Sequence, residues 1–167
     1  AVEAKQRMKN MFGMINYIAS VTDKKMILEK ILKTSQYILD CEDITLFEPI
    51  QNDPNKTLKI SQLTCENIAG KTYSAEKEIA GFVFCTGELL NVKEPFKTSR
   101  YPFTNELKKN PNIRSILCAP IFQYGKKVVA IIQAVNKRAK NAFSKYDEYL
   151  IQYLSESSGI NLTQAAL

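Results

Sequence analysis

One glutamine interrupts the most apolar stretch of this chain. Val128 to Val135 (VVAIIQAV) is rich in β-branched residues and reads as a strand. Strand alternation places Gln133 on one face with Val129, Ile131 and Val135, where neighbouring side chains are buried. An unpaired amide there costs about 1–3 kcal/mol, so Gln133 needs a partner in the protein, in water or in a ligand. A polar set follows directly: Asn136 and Lys137, then Phe143, then Asp147 and Glu148. Ser144 with Asp147 three residues on has the form of an N-capping box, and both acids suit the positive end of a helix. The chemistry open to these groups is hydrogen bonding and ion pairing. None of the acids is paired by spacing with a nucleophile or with metal ligands.

The chain contains no histidine. That excludes histidine-based metal sites, Ser-His and Cys-His nucleophile pairs and a histidine haem ligand. The four cysteines, Cys41, Cys65, Cys85 and Cys118, form no C-x-x-C pair and lie in or beside apolar segments. Without a secretory signal they read as reduced, mostly buried thiols of a cytoplasmic protein. The 167 residues suffice for one domain, and the net charge of +6 is spread along the chain. No aromatic–basic interleaving, zinc spacing or recognition helix accompanies that charge, so a solvated lysine-rich surface is expected and no nucleic-acid partner. No apolar run reaches the length of a membrane span. The first residue is Ala, so a piece of a longer protein is expected.

The elements that must position these groups follow from periodicity. Residues 4–20 form a helix with Met8, Met11, Ile15 and Ile18 on one seam, which serves either core packing or dimerisation. Thr22 is the expected N-cap of a second helix over 23–39, with Leu28, Ile31, Leu32, Ser35 and Leu39 inward. Strands are expected over 43–49 and 57–65, joined by the turn-rich QNDPNK, with a short strand near 71–74. A very apolar helix over 79–86 ends at Gly87, a left-handed cap, and Asn91-Val92 is a short strand. The connection from 93 to 112, with a short helix near 104–109, is long enough to suggest a lid, and Phe96, Tyr101 and Phe103 suggest that it packs on something. Arg114 to Phe122 is a buried strand in which Pro120 should sit at a bulge or on an unpaired side. A closing helix from Lys145 to about Gln164 would bury Leu150, Tyr153, Leu154 and Ser157.

The spacing Asn136-Lys137, Phe143, Asp147-Glu148 resembles the NKFDE signature of GAF domains from cyclic-nucleotide phosphodiesterases and related adenylyl cyclases. Three more stretches match that family in order: IAG (Ile79, Ala80, Gly81), TGELLNV (Thr86 to Val92) and RSILCAPI (Arg114 to Ile121). The resemblance covers roughly residues 22–165 and implies an α+β fold. Its central antiparallel sheet has about six strands, with the N- and C-terminal helices on one face and a lidded ligand pocket on the other. Residues 1–21 would be a connecting or dimerisation helix and residues 22–167 the GAF domain.

By the same resemblance the ligand-binding positions are Asp43 near the pocket base, the backbone at Ile79 and Ala80 at the cyclic phosphate, Glu106 and Ile113 on the lid, and Gln133 facing the pocket. Asn136, Lys137, Phe143, Asp147 and Glu148 would not touch the ligand. Lys137 and Asp147 would pair and lock the end of the strand to the last helix. Three positions depart from the binding members: Glu78 replaces a glycine beside the phosphate, Leu63, Thr64 and Cys65 replace a stacking aromatic, and Ile113 and Lys109 replace lid hydroxyls. The implied function is a non-catalytic regulatory domain that binds cAMP or cGMP and signals to a catalytic domain in the same chain, with no other cofactor and no metal. The alternative is a scaffold with an empty pocket that forms a homodimer through its terminal helices. The lid segment 93–113 has no cysteine, which argues strongly against a methionine sulfoxide reductase, and bilin attachment is disfavoured by the missing histidine.

Overall fold

The computed structural model describes residues 2–19, 23–54, 57–63, 72–74, 78–97, 110–123 and 127–165. In chain order these give α1 (Val2–Ala19), α2 (Lys24–Leu39), β1 (Cys41–Pro49), β2 (Thr57–Leu63), β3 (Thr72–Ser74), α3 (Ile79–Thr86), β4 (Leu90–Val92), β5 (Ile116–Gln123), β6 (Lys127–Lys137) and α4 (Lys145–Ala165). The expected lid helix at 104–109 and the aromatics Tyr101 and Phe103 lie outside the described residues.

The six strands form one sheet in the order β3-β2-β1-β6-β5-β4, and every pairing is antiparallel. β6 is one of the two central strands, paired with β1 on one side and β5 on the other and covered on both faces, which explains its almost unbroken apolar sequence. The helices α1, α2 and α4 cover one face. Met11 and Ile18 from α1 and Ile31, Ile38, Leu150 and Leu154 from α2 and α4 meet Ile44, Leu46, Leu117, Ala119, Ile132 and Ala134 of the sheet. On the opposite face Ile79, Ala80 and Val83 of α3 pack with Phe47, Leu58, Ile60, Ile116, Cys118 and Ile131. The fold is therefore α+β, with the terminal helices segregated to one side.

Local chemistry sets the element ends. The side chain of Asp23, rather than Thr22, caps α2 by accepting the Met26 N–H at 3.1 Å, and Asp40 closes that helix in the left-handed region at φ 50°. Thr22 itself lies outside the described residues. Gly87 ends α3 at φ 70°, its N–H bonded to the Val83 carbonyl at 2.8 Å. On α4 the buried stripe is Leu150, Ile151, Leu154, Ser155, Ser158 and Leu162. Tyr153, expected inside, is 37% exposed; its phenol keeps contact with water while its ring meets Phe12 of α1 edge-on at 5.4 Å. Ser157 is only half-buried.

Two register shifts matter. Ile121 pairs with Ala130 but Phe122 pairs with Val128, so β6 carries one extra residue, Val129. That bulge turns Val129 to the helix-covered face, where it packs with the α1–α2–α4 core, and removes it from the face it was expected to share with Gln133. Pro120 pairs with Ile131 one residue before the bulge. β4 reaches only to Cys118, so β5 has no described strand on its outer side at Pro120, and the missing N–H costs no ladder bond there. The second shift, between Leu46 and Phe47, leaves Ser61 as the extra residue of β2; its hydroxyl donates to Glu48 Oε1 at 2.5 Å.

Candidate functional site

Gln133 stands on the α3-side face of the sheet, opposite Thr45 of β1 and Cys118 of β5. It is 9% exposed, and among the described residues its amide meets one group, the Cys118 thiol, with Sγ 4.0 Å from Oε1. A thiol is a weak donor, so most of the hydrogen-bonding capacity of this amide remains unused by the described residues. Asp43 pairs with Val135 and shares that face, half-buried. Ile79 and Ala80 open α3 and are fully buried in the apolar cluster on the same face. Ile113, expected on a lid, is buried in that cluster as well. The structure thus brings Asp43, Ile79, Ala80, Ile113 and Gln133 to one side of the sheet, and Glu106 lies outside the described residues.

At the start of α3, Glu78 occupies the N-cap position with extended backbone and makes no side-chain capping bond. Its carboxylate is buried, with the residue 7% exposed. A carboxylate so placed opposes any anion brought to the first turn of α3.

The set Asn136, Lys137, Phe143, Asp147 and Glu148 is assembled where β6 meets α4. Lys137 Nζ donates to the Leu39 carbonyl at 2.6 Å and to Asp147 Oδ1 at 2.9 Å, so it joins the ends of α2, β6 and α4. Asp147 Oδ2 accepts the Ser144 N–H at 2.8 Å, and Ser144 Oγ accepts the Asp147 N–H at 3.1 Å, a complete capping box. Phe143 is buried beneath it in the helix-side core. Glu148 Oε2 accepts from Asn91 Nδ2 at 3.1 Å, and the same amide donates to the Phe143 carbonyl at 3.0 Å, which ties β4 to α4.

Asn136 is a hub that sequence reasoning read only as part of a motif. It adopts a left-handed backbone at φ 63°. Its Oδ1 accepts the Arg114 and Ser115 N–H groups at 2.6 and 3.3 Å, and its Nδ2 donates to Glu42 Oε2 at 2.9 Å and the Asn112 carbonyl at 3.1 Å. Every polar atom of the amide is therefore used. The effect is to pin residues 112–115, and with them Ile113, against the end of β6. The Asn136 bond and then Arg114, with Nη1 3.1 Å from Glu42 Oε1, hold the Glu42 carboxyl below the ordinary range, outweighing its slight burial.

The cysteines divide as their surroundings dictate. Cys41 and Cys118 are buried, and burial pushes the Cys41 thiol up to about 12. Cys85 is exposed at the end of α3, the exception among thiols expected to be mostly buried. Cys65 lies outside the described residues. Among the described residues no group of His, Cys, Asp and Glu could hold a metal ion, and no helix is long and apolar enough to cross a membrane.

The comparisons with known proteins agree with this architecture. The chain is 23% identical to the dual 3',5'-cyclic-AMP and -GMP phosphodiesterase 11A of Takifugu rubripes over 163 aligned residues, which cover 87% of this chain. It spans only 18% of that protein's length. The GAF domain of an Acinetobacter phosphoenolpyruvate-protein phosphotransferase superimposes with a TM-score of 0.77 at 15% identity, covering 96% of this chain and 95% of that one. The free methionine-R-sulfoxide reductase of Neisseria meningitidis superimposes with a TM-score of 0.79 at 12% identity, covering 98% and 92%. The GAF domain family matches residues 23–162, which leaves out the whole of α1. With 140 of its residues inside that match, the chain belongs to the GAF family.

Proposed function

We propose that this GAF domain is a non-catalytic regulatory module of a cyclic-nucleotide phosphodiesterase. It binds cAMP or cGMP on the α3-side face of the sheet and signals to a catalytic domain in the same chain. The observation that carries the reading is Gln133: a buried amide in a central strand, on the face where Ile79, Ala80 and Ile113 converge, with a weak thiol as its described partner. A purine edge offers such an amide both a donor and an acceptor. The similarity to a phosphodiesterase that carries both nucleotides in its name supports this ligand class.

In this reading Asp43 and Gln133 face the base, the first turn of α3 meets the phosphate, and Glu106 and Ile113 belong to the closing segment. Lys137 and Asp147, with Asn136, Phe143 and Glu148, form the lock that holds this face in shape without touching the ligand. Closure changes the activity of a neighbouring domain only if the nucleotide favours one arrangement over the other. Glu78 sets the affinity low, because its buried carboxylate repels the phosphate.

The test is calorimetric titration of the domain with cAMP and, separately, cGMP, with Glu78→Gln, Gln133→Ala and Lys137→Ala as comparisons. Saturable heat at micromolar nucleotide, strengthened in Glu78→Gln and weakened in the other two, is the expected result. No heat at millimolar nucleotide, in the parent domain and in Glu78→Gln alike, rejects cyclic-nucleotide binding.

A second reading, a dimerisation scaffold with an unused pocket, is favoured by a separate observation. Phe12 and Tyr17 of α1 and Tyr149 and Tyr153 of α4 are all more than a third exposed, a concentration of aromatic surface on the terminal helices. Sedimentation of the domain with and without nucleotide separates the two: a dimer indifferent to nucleotide supports the scaffold.

A further inference from the structure

We infer that the domain has a second small-molecule site, on the α4 side of the sheet, suited to an apolar amine. A cavity of about 600 Å³ lies between the C-terminal half of α4 and the end of β5, a volume in the range of small-ligand pockets. It exists because β4 stops opposite Cys118, so β5 continues through Ala119 and Pro120 without a described neighbour on that edge. α4 cannot close the gap from the other side. Gly159 already lies so tightly against β5 that a Cβ there would come within 2.1 Å of the Phe122 carbonyl oxygen.

The walls are chemically uneven. Leu89, Ala119, Pro120 and Phe122 form an apolar floor, while Ser155 and Glu156 approach from α4. Ser155 is 4% exposed, and its Oγ is buried without a hydrogen-bond partner. Ser158 Oγ, also on α4, is buried without a partner too, whereas other helix hydroxyls find one. Ser35, Thr86 and Thr163 each donate to the carbonyl four residues earlier, at 2.6, 2.8 and 2.7 Å. The Ser155 hydroxyl forgoes this bond, and the residue stands on the cavity wall with its Oγ buried behind it. Among the described residues that line the cavity, Glu156 is the only charged one, on a chain of net charge +6. A ligand with an aromatic or aliphatic body and an ammonium head satisfies all three features: floor, hydroxyl acceptor and carboxylate. The site lies across the sheet from Gln133, whose face is that of α3.

The experiment uses phenethylamine as the ligand and hydrocinnamate, of like body and opposite charge, as the control, followed by two-dimensional amide NMR of the domain. Saturable shifts confined to Leu89, Ala119, Phe122, Ser155, Glu156 and their neighbours are expected for the amine. Hydrocinnamate should bind at least about fivefold more weakly, the scale of one partly exposed ion pair. Glu156→Gln, a surface change that leaves the core intact, should weaken the amine about fivefold, and Ser155→Ala by a similar factor. Equal binding of acid and amine, an unchanged affinity in Glu156→Gln, or shifts scattered over other surfaces overturns the inference. Saturating the domain with cAMP or cGMP should leave these shifts in place, whatever the nucleotide does on the other face.

Discussion

Lys137 Nζ lies 2.9 Å from Asp147 Oδ1, in a pair whose side chains are only 13% and 3% exposed. The lysine also closes the C-terminal end of α2 through the Leu39 carbonyl, so one ammonium serves two helices and a strand. Removing one member of a buried pair strands the other charge, at a cost of about 3–5 kcal/mol. Lys137→Ala should therefore lower the urea midpoint by that loss divided by the slope of the unfolding curve, with the slope itself unchanged. A loss under about 1 kcal/mol would place the pair among exposed ones and remove its role as a lock.

Glu42 gives the domain a defined acid response. Its folded-state carboxyl is held below the ordinary value of 4.5 by Asn136 and Arg114. A depressed value means that the contribution is fully present above about pH 4.5 and is lost as the pH falls through the folded-state value. Glu42 and Arg114 are both more than 40% exposed, so solvent and salt screen the pair and its worth is small, about 0–1 kcal/mol. In Glu42→Gln the acid limb of the stability curve should be flatter, with the two proteins converging at low pH. Parallel limbs would show that Glu42 is not linked to folding.

Much of this architecture is readable from local pattern, because each helix carries its own stop signals and β6 its own apolar run. α3 falls on Ile79–Thr86 and ends at Gly87, since a glycine after so short and apolar a run favours the left-handed cap. What periodicity cannot carry is register between strands. The extra residue at Val129 arises from the pairing of β5 with β6, and strict alternation sends that side chain to the wrong face. Tyr153 fails for a related reason: its position on the α4 stripe is apolar by type, yet the α1 ring that receives it lies at the rim of the core. The hub role of Asn136 had a local signal, an asparagine directly after the apolar run of β6, a residue type that tolerates the left-handed region. Its four partners, from β1 and from the segment before β5, come from distant parts of the chain and leave no mark on its neighbours.

Gly159 tests the close approach of α4 to the sheet. In a free helix, Gly→Ala gains about 1 kcal/mol. Here the added methyl would overlap the Phe122 carbonyl, a backbone atom that cannot turn aside. Gly159→Ala should therefore destabilise the domain by about 1–3 kcal/mol, the usual cost of overpacking. A stabilised variant in thermal unfolding would mean that α4 lifts from β5 without penalty.

Asn136 separates backbone shape from hydrogen bonding. Asn136→Gly keeps the left-handed φ of 63° accessible and deletes the amide; Asn136→Ala deletes the amide and adds about 1–2 kcal/mol of strain. Both leave the buried Ser115 N–H and its neighbour at Arg114 without their shared acceptor. Alanine should accordingly be the less stable of the two by about that strain, and both should be less stable than the parent. The amide also holds the Asn112 carbonyl, and so fixes the residues that deliver Ile113 to the α3-side cluster. Hydrogen exchange should then rise in both variants at 112–115 before it rises in α2 or α4. If exchange instead rises uniformly, Asn136 supports the fold as a whole rather than that segment, and the lock reduces to Lys137 and Asp147.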